Sequence, residues 1–284
     1  MPLAVRTWGD PGGRPLVFWH PLGDVTSGAY ATELVPALLA RGLHVVAPDG
    51  PGFGESPALP PESYAVPRLA GLVWALVAQL GLGRPVLMGH SWGAVVMLAA
   101  AAERPRDASG LVLLDAGHLD YAAHASSHPE WSLETRAAAI AGGQPAYADR
   151  ADLLRQLQDE VPRPLSDAWV AGLGPSLREQ PDGRVEPVVT PLTRAAAQAG
   201  MLAERSLPRW ATLAAAGLPV LLLLATEPEA RHVDNEEGAQ AVHAAYPGAD
   251  VRLLAGLSHD LIADAGPEVA ELVAAWVAGQ PART

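Results

Sequence analysis

Short, unbroken apolar runs alternate with stretches of helical period along most of this chain. Leu16-Val17-Phe18-Trp19, Leu43 to Ala47, Pro85 to Met88, Leu111 to Leu114, Leu218 to Ala225 and Val251 to Leu254 carry no polar alternation beyond single interruptions. Such runs suit strands buried on both faces. Between them, Tyr30 to Arg41 places Leu34, Leu38 and Leu39 on one face, and Leu69 to Leu82, the residues after Ser91, Glu236 to Tyr246 and Pro267 to Ala278 also read as helices. The β-α rhythm predicts an α/β fold: a mostly parallel central sheet with helices on both faces and right-handed crossovers. It breaks over residues 117–208. There, helical stretches at Leu133 to Ala141, Ala151 to Glu160, Leu165 to Leu173 and Leu192 to Leu207 are punctuated by proline, and no strand pattern is visible. The expected organisation is one core domain, residues 1–116 and 209–284, interrupted by a helical insertion over residues 117–208.

Composition narrows the partners. With 284 residues, 49% of them hydrophobic and 18% charged, the chain has the makings of a compact globule. Its net charge of -12 opposes binding to nucleic acid or an anionic membrane surface. No apolar run reaches the ~18 residues of a membrane span. There is no cysteine, hence no disulfide framework, thiolate metal site or cysteine nucleophile. The N-terminal MPLAVRTWGD lacks the apolar stretch of a secretion signal. The expectation is a cytoplasmic monomer or homodimer whose partner is a small-molecule substrate.

The chemistry starts at Pro85 to Ala94. An apolar strand runs into Gly89-His90-Ser91-Trp92-Gly93, a G-x-S-x-G sequence, and a helix follows. A serine on such a sharp strand-to-helix turn stands at the top of a sheet and at a helix N-terminus, where developing negative charge is favoured. A serine nucleophile needs a base, an acid that orients the base, and an oxyanion hole. In open α/β sheets these gather at the carboxyl ends of strands. His259 lies just past the strand Val251 to Leu254, in Gly256-Leu257-Ser258-His259, and is the candidate base.

Two more motifs sit at strand ends: His20-Pro21-Leu22-Gly23, and Asp49-Gly50-Pro51-Gly52-Phe53-Gly54-Glu55-Ser56. With the Ser91 turn and the His259 loop, they make the chain resemble the α/β-hydrolase family over nearly its whole length. The resemblance implies a helical lid for the insertion. It also implies the Leu22 and Trp92 backbone N–H groups as oxyanion donors, although Pro21 replaces the usual glycine. Dehalogenases and epoxide hydrolases of that family carry Asp at the elbow, where this chain has Ser91.

The acid has two principal candidates. The family's usual position follows the strand Leu218 to Ala225, where the chain reads Thr226-Glu227-Pro228-Glu229, so that Glu229 fits after a one-residue shift. Asp115, at the end of the strand after the elbow helix, is the alternative used by some members and is preferred, with Glu227 or no true acid behind the two. Trp19, His20, His90, Trp131 and Trp169 are expected to wall the substrate pocket, with Tyr121, Tyr147, Met201 and Trp210 as further candidates. His20 also has a bracing role in prospect. His118, His124 and His128 lie near Asp120 without metal-site spacing, so no metal and no cofactor is expected. The activity implied is hydrolysis of a small-to-medium neutral ester through an acyl-enzyme. C–C bond, lactone or amide hydrolysis, or non-catalytic binding of a small molecule, are the alternatives.

Overall fold

The computed structural model describes residues 2–23, 26–123, 130–144, 147–160 and 163–280. In chain order the elements are β1 (Val5–Trp8), β2 (Arg14–Trp19), α1 (Ser27–Ala40), β3 (Leu43–Pro48), α2 (Val66–Leu80), β4 (Val86–His90), α3 (Trp92–Glu103) and β5 (Gly110–Leu114). The insertion follows, with α4 (Leu133–Gly143), α5 (Arg150–Glu160), α6 (Asp167–Gly172), β6 (Leu177–Glu179), β7 (Val185–Pro187) and α7 (Pro191–Leu202). The chain then returns through α8 (Leu207–Ala216), β8 (Val220–Ala225), α9 (Glu229–Ala245), β9 (Asp250–Leu254) and α10 (Leu261–Gly279).

Seven strands form one sheet in the order β1-β3-β2-β4-β5-β8-β9. Only β1 runs antiparallel, against β3. Alternation of side chains splits the strands between two apolar layers. Val17, Trp19, Leu87, Leu111, Leu113, Leu222 and Leu224 join one cluster with α2, α3 and α8. Leu16, Phe18, Met88, Val112, Leu114, Leu221 and Leu223 join the other with α1 and α10. Each of these side chains is fully buried, and burial of one contributes about 1.5–3 kcal/mol. The central strands therefore had to read as continuous apolar runs. Among the described residues, no helix is long and apolar enough to cross a membrane.

Three sequence expectations need correction. The edge strand β1, which the sequence pattern did not reveal, has only four residues, none of them fully buried, and gives no apolar run. The insertion contains a β6–β7 hairpin, whose three-residue strands are too short to show a period. The helix expected over Leu192 to Leu207 stops at Leu202, and a separate helix, α8, starts at Leu207. Beside Asp120, whose carboxylate accepts from the Leu207 N–H at 3.0 Å, α8 packs on α3 and α9.

The insertion is tied to the sheet layers mainly through α6 and α7. Helix α6 packs on α1, with Trp169 in the α1–α10 cluster. Next to it, Arg163 spans Glu33 of α1 at 2.9 Å and the carbonyls of Ile262 and Ala263 at 2.8 and 2.7 Å. Ser166 bonds the same carboxylate. Helix α7 leans on α4 and on the segment that leads into α2.

Candidate active site

The carboxyl ends of β4, β5 and β9 bring Ser91, Asp115 and His259 together. Ser91 is the residue between β4 and α3, with φ 54 and ψ -119. Its N–H donates to Leu114 O at 2.9 Å, which extends the β4–β5 ladder into the turn. Two glycines make the turn feasible. A Cβ on Gly89 would come within 2.3 Å of the Gly93 backbone, and one on Gly93 within 2.1 Å of Trp19 O. Ser91 and Asp115 (φ 49) are the non-glycine residues with positive φ among the described residues. Such backbone costs about 1–3 kcal/mol and persists where the surroundings over-determine it.

The hydrogen bonds form a relay. Ser91 Oγ–H faces His259 Nε2 at 2.8 Å, and His259 Nδ1–H donates to Asp115 Oδ2 at 2.6 Å. Asp115 is buried to 1% exposure, and its carboxylate is fully engaged. Oδ1 accepts from Ala225 N at 2.8 Å and Asn235 Nδ2 at 2.7 Å, while Oδ2 also accepts from Arg231 Nη1 at 3.0 Å. Burial alone would push the Asp115 carboxyl up. The hydrogen bond and charge of His259, the Ala225 N–H and the Arg231 charge outweigh burial and hold the carboxyl below the usual carboxylate range. Glu229, the other candidate acid, stands exposed in the first turn of α9, and the His259 Nδ1 that an acid would orient is taken by Asp115.

Behind Asp115 the network continues through residues that the sequence reading passed over. Asn235 also donates to Ala225 O at 2.9 Å and accepts from His118 Nε2–H at 2.8 Å. Burial drives the His118 imidazole down to about 4, against the Asp115 charge and the Asn235 bond. His118 is thus a structural neutral histidine; His124 and His128 lie outside the described residues. Arg231 and Asn235 are four residues apart on α9 and so share one face. The sequence pattern began this helix at Glu236, whereas α9 starts at Glu229, so the shared face of Arg231 and Asn235 gave no signal.

A cavity of about 400 Å³ opens at Ser91 and His259. Leu119, Tyr121, Met201, Pro228, Ala230 and Arg231 are among its lining residues, with Asp234. The expected aromatic wall is placed otherwise. Trp19 is fully buried, edge-on to Trp92 at 5.8 Å. His20 is buried as a brace: Nδ1–H donates to Pro21 O at 2.7 Å, and Nε2 accepts from Gly50 N at 2.9 Å. His90 is buried and donates from Nε2 to the His259 carbonyl at 2.8 Å, which holds the His259 loop. Trp169 is buried against α1. Trp131 is 37% exposed beneath the Arg136 guanidinium. None of these five lines the cavity. Trp19 and Trp169 are drawn into the apolar core instead, and the two histidines are taken up by hydrogen bonds to the backbone. Tyr147 joins a small cluster with Leu153 and Val185, and Trp210 donates to Gly117 O at 2.7 Å, so Tyr121 and Met201 are what remains of the expected wall.

Leu22 follows β2, and Trp92 opens α3. Since β2 and β4 are parallel neighbours, both turns leave the same edge of the sheet. The Asp49 to Ser56 turn is held by the buried Asp49 carboxylate, which takes Arg6 Nη1 at 2.9 Å.

A model of the alpha/beta hydrolase fold matches residues 14–155, half of the chain. The chain belongs to this family. Among curated members, Epoxide hydrolase A of Mycobacterium tuberculosis is 36% identical over 97 residues, which cover 34% of this chain and 29% of that protein. The chain spans less than half the length of the curated relatives it matches. Similar solved structures run the full length of the hydrolase fold. E-2-(acetamidomethylene)succinate hydrolase matches with a TM-score of 0.76 at 20% identity, over 97% of this chain and 94% of that one. The thioesterase domain from the curacin biosynthetic pathway matches with a TM-score of 0.74 at 22% identity, over 95% and 94%.

Proposed function

We propose that this protein is a serine hydrolase that cleaves a small-to-medium neutral ester or related acyl compound through an acyl-enzyme on Ser91. The observation that carries the reading is the unbroken relay from Ser91 Oγ through His259 to Asp115, at 2.8 and 2.6 Å. In this mechanism Ser91 Oγ attacks the acyl carbon while His259 Nε2 takes the hydroxyl proton. Asp115 keeps the Nδ1–H tautomer and stabilises the imidazolium. The Leu22 and Trp92 N–H groups receive the oxyanion. Collapse expels the alcohol, which takes its proton from His259. Water then enters by the same route and releases the acid.

The cavity volume suits a small molecule. Its charges, Asp115, Asp234 and Arg231, leave no net positive field to hold a free anion. Hydrolase and thioesterase are the names carried by the two similar structures, in keeping with acyl cleavage. The insertion, which contributes Met201 and Tyr121 to the wall, acts in this reading as a lid.

The test is a fluorophosphonate probe with a p-nitrophenyl ester series. The expected result is one adduct on Ser91, and loss of labelling together with a fall of about 10⁴ to 10⁶ in kcat for Ser91→Ala. An adduct elsewhere, or a Ser91→Ala protein with normal turnover, removes the reading.

A further inference from the structure

Two N–H donors, one of them on a permanent cation, converge on one oxygen of Asp115. Oδ2 takes His259 Nδ1 at 2.6 Å and Arg231 Nη1 at 3.0 Å. The carboxylate is fully buried, whereas the Arg231 and His259 side chains are 35% and 39% exposed on the cavity side. A triad acid needs only the histidine, so the guanidinium is an addition with a consequence for charge.

We infer that Arg231 is a positioning residue which, through Asp115, sets how far down in pH His259 remains a working base. The inference rests on Ser91, His259 and Asp115 acting as the triad. Protonation of His259 puts a second positive charge on the oxygen that already holds Arg231. The fixed guanidinium offsets part of the attraction that Asp115 exerts on the imidazolium. Protonation before substrate arrives is then less favourable, and the active neutral form persists to lower pH.

The other groups around His259 come from every neighbouring element. Helix α9 brings Asp234, and the loop after β5 brings His118 and Tyr121 into the same cavity wall. From β4, the His90 ring lies 5.3 Å from that of His259. Next in sequence is Asp260, which accepts from Tyr30 OH of α1 at 3.3 Å. The exposed Glu227 and Glu229 flank the start of α9. None of these groups is itself replaced in the variants, and the two that also feel the Arg231 charge, His118 and Tyr121, are held neutral by burial, at about 4 and about 12.

The experiment is the pH profile of kcat/KM on a p-nitrophenyl ester for wild type, Arg231→Gln, Arg231→Met and Arg231→Lys, with a melting curve for each. The acidic limb is expected to move up by roughly half to one pH unit in the neutral variants and to stay close to wild type in Arg231→Lys. A merely structural salt bridge would lower the rate or the melting temperature without moving the limb. The inference is overturned by a folded neutral variant whose limb coincides with wild type, or by an Arg231→Lys limb displaced as far as that of Arg231→Gln. It is also overturned if both neutral variants fail to fold while Arg231→Lys folds, since the cation is then a structural requirement. A wild-type protein inert to both ester and fluorophosphonate would instead remove the triad reading on which the inference stands.

Discussion

At Ser91 and Asp115 the backbone itself is bent into place. Both have positive φ, and both N–H groups are held by the next strand of the sheet, Ser91 to Leu114 O and Asp115 to Leu223 O at 2.8 Å. The parallel ladder therefore aims the two side chains at the same point above the sheet, where His259 descends from the loop after β9. The choice between acids follows from this geometry. Asp115→Asn keeps the size but lets an amide donor face the imidazole, so the wrong tautomer is favoured and kcat should fall by about 10⁴. Glu229→Gln, on an exposed side chain in the first turn of α9, should leave kcat within a few-fold. Steady-state kinetics of the two variants on one ester checks this; the reverse outcome would move the acid to α9.

Among the elements, those that repeat the family's strand-end motifs were readable in the chain: the elbow between β4 and α3, the His259 loop after β9, and the turns after β2 and β3. Each is a local pattern whose spacing carries its own geometry. The α9 contribution was not readable, because Arg231 and Asn235 matter only once β5 has placed Asp115 beside them, more than a hundred positions away in sequence. The pocket wall failed for a different reason. A tryptophan in the insertion announces burial but not which surface it meets, and Trp169 met α1 instead of the cavity. This changes what substitutions should do. Trp169→Ala should cost about 3–5 kcal/mol of stability with little change in substrate preference, and Trp131→Ala, which gives up the contact with the Arg136 guanidinium, should cost less, about 1 kcal/mol. Met201, at the end of α7 and on the cavity wall, should set chain-length preference: Met201→Ala towards longer acyl chains, Met201→Trp towards shorter ones. Urea midpoints and an ester series separate the two effects, and an unchanged ester profile in both Met201 variants would take α7 out of substrate selection.

Taken as a whole, the molecule holds several imidazoles in the dry interior, and this sets its response to acid. His20 and His90 are pushed down by burial, and His118 is driven to about 4. An unfolded histidine titrates near 6.5. Between those values the unfolded chain binds a proton that folded His118 refuses, so its contribution is complete above about pH 6.5 and is lost as pH falls towards 4. For His118 the loss amounts to roughly 2 kcal/mol between pH 7.5 and 5, and His20 and His90 act in the same direction. Asp115 contributes little in this window, because its partners hold the folded carboxyl below the usual carboxylate range and an unfolded aspartate itself titrates only near 3.9. Overall charge works the other way. The net charge of -12 at pH 7 shrinks towards zero near the isoelectric point of about 5.1, which relieves self-repulsion and by itself would favour the folded state. A drop in stability on acidification therefore points to the buried imidazoles. His118→Gln keeps an N–H donor for Asn235 and removes the titration. Urea unfolding at pH 7.5 and 5.0 should show wild type losing about 2 kcal/mol more than this variant, and an equal loss in the two proteins would shift the acid sensitivity to His20 and His90.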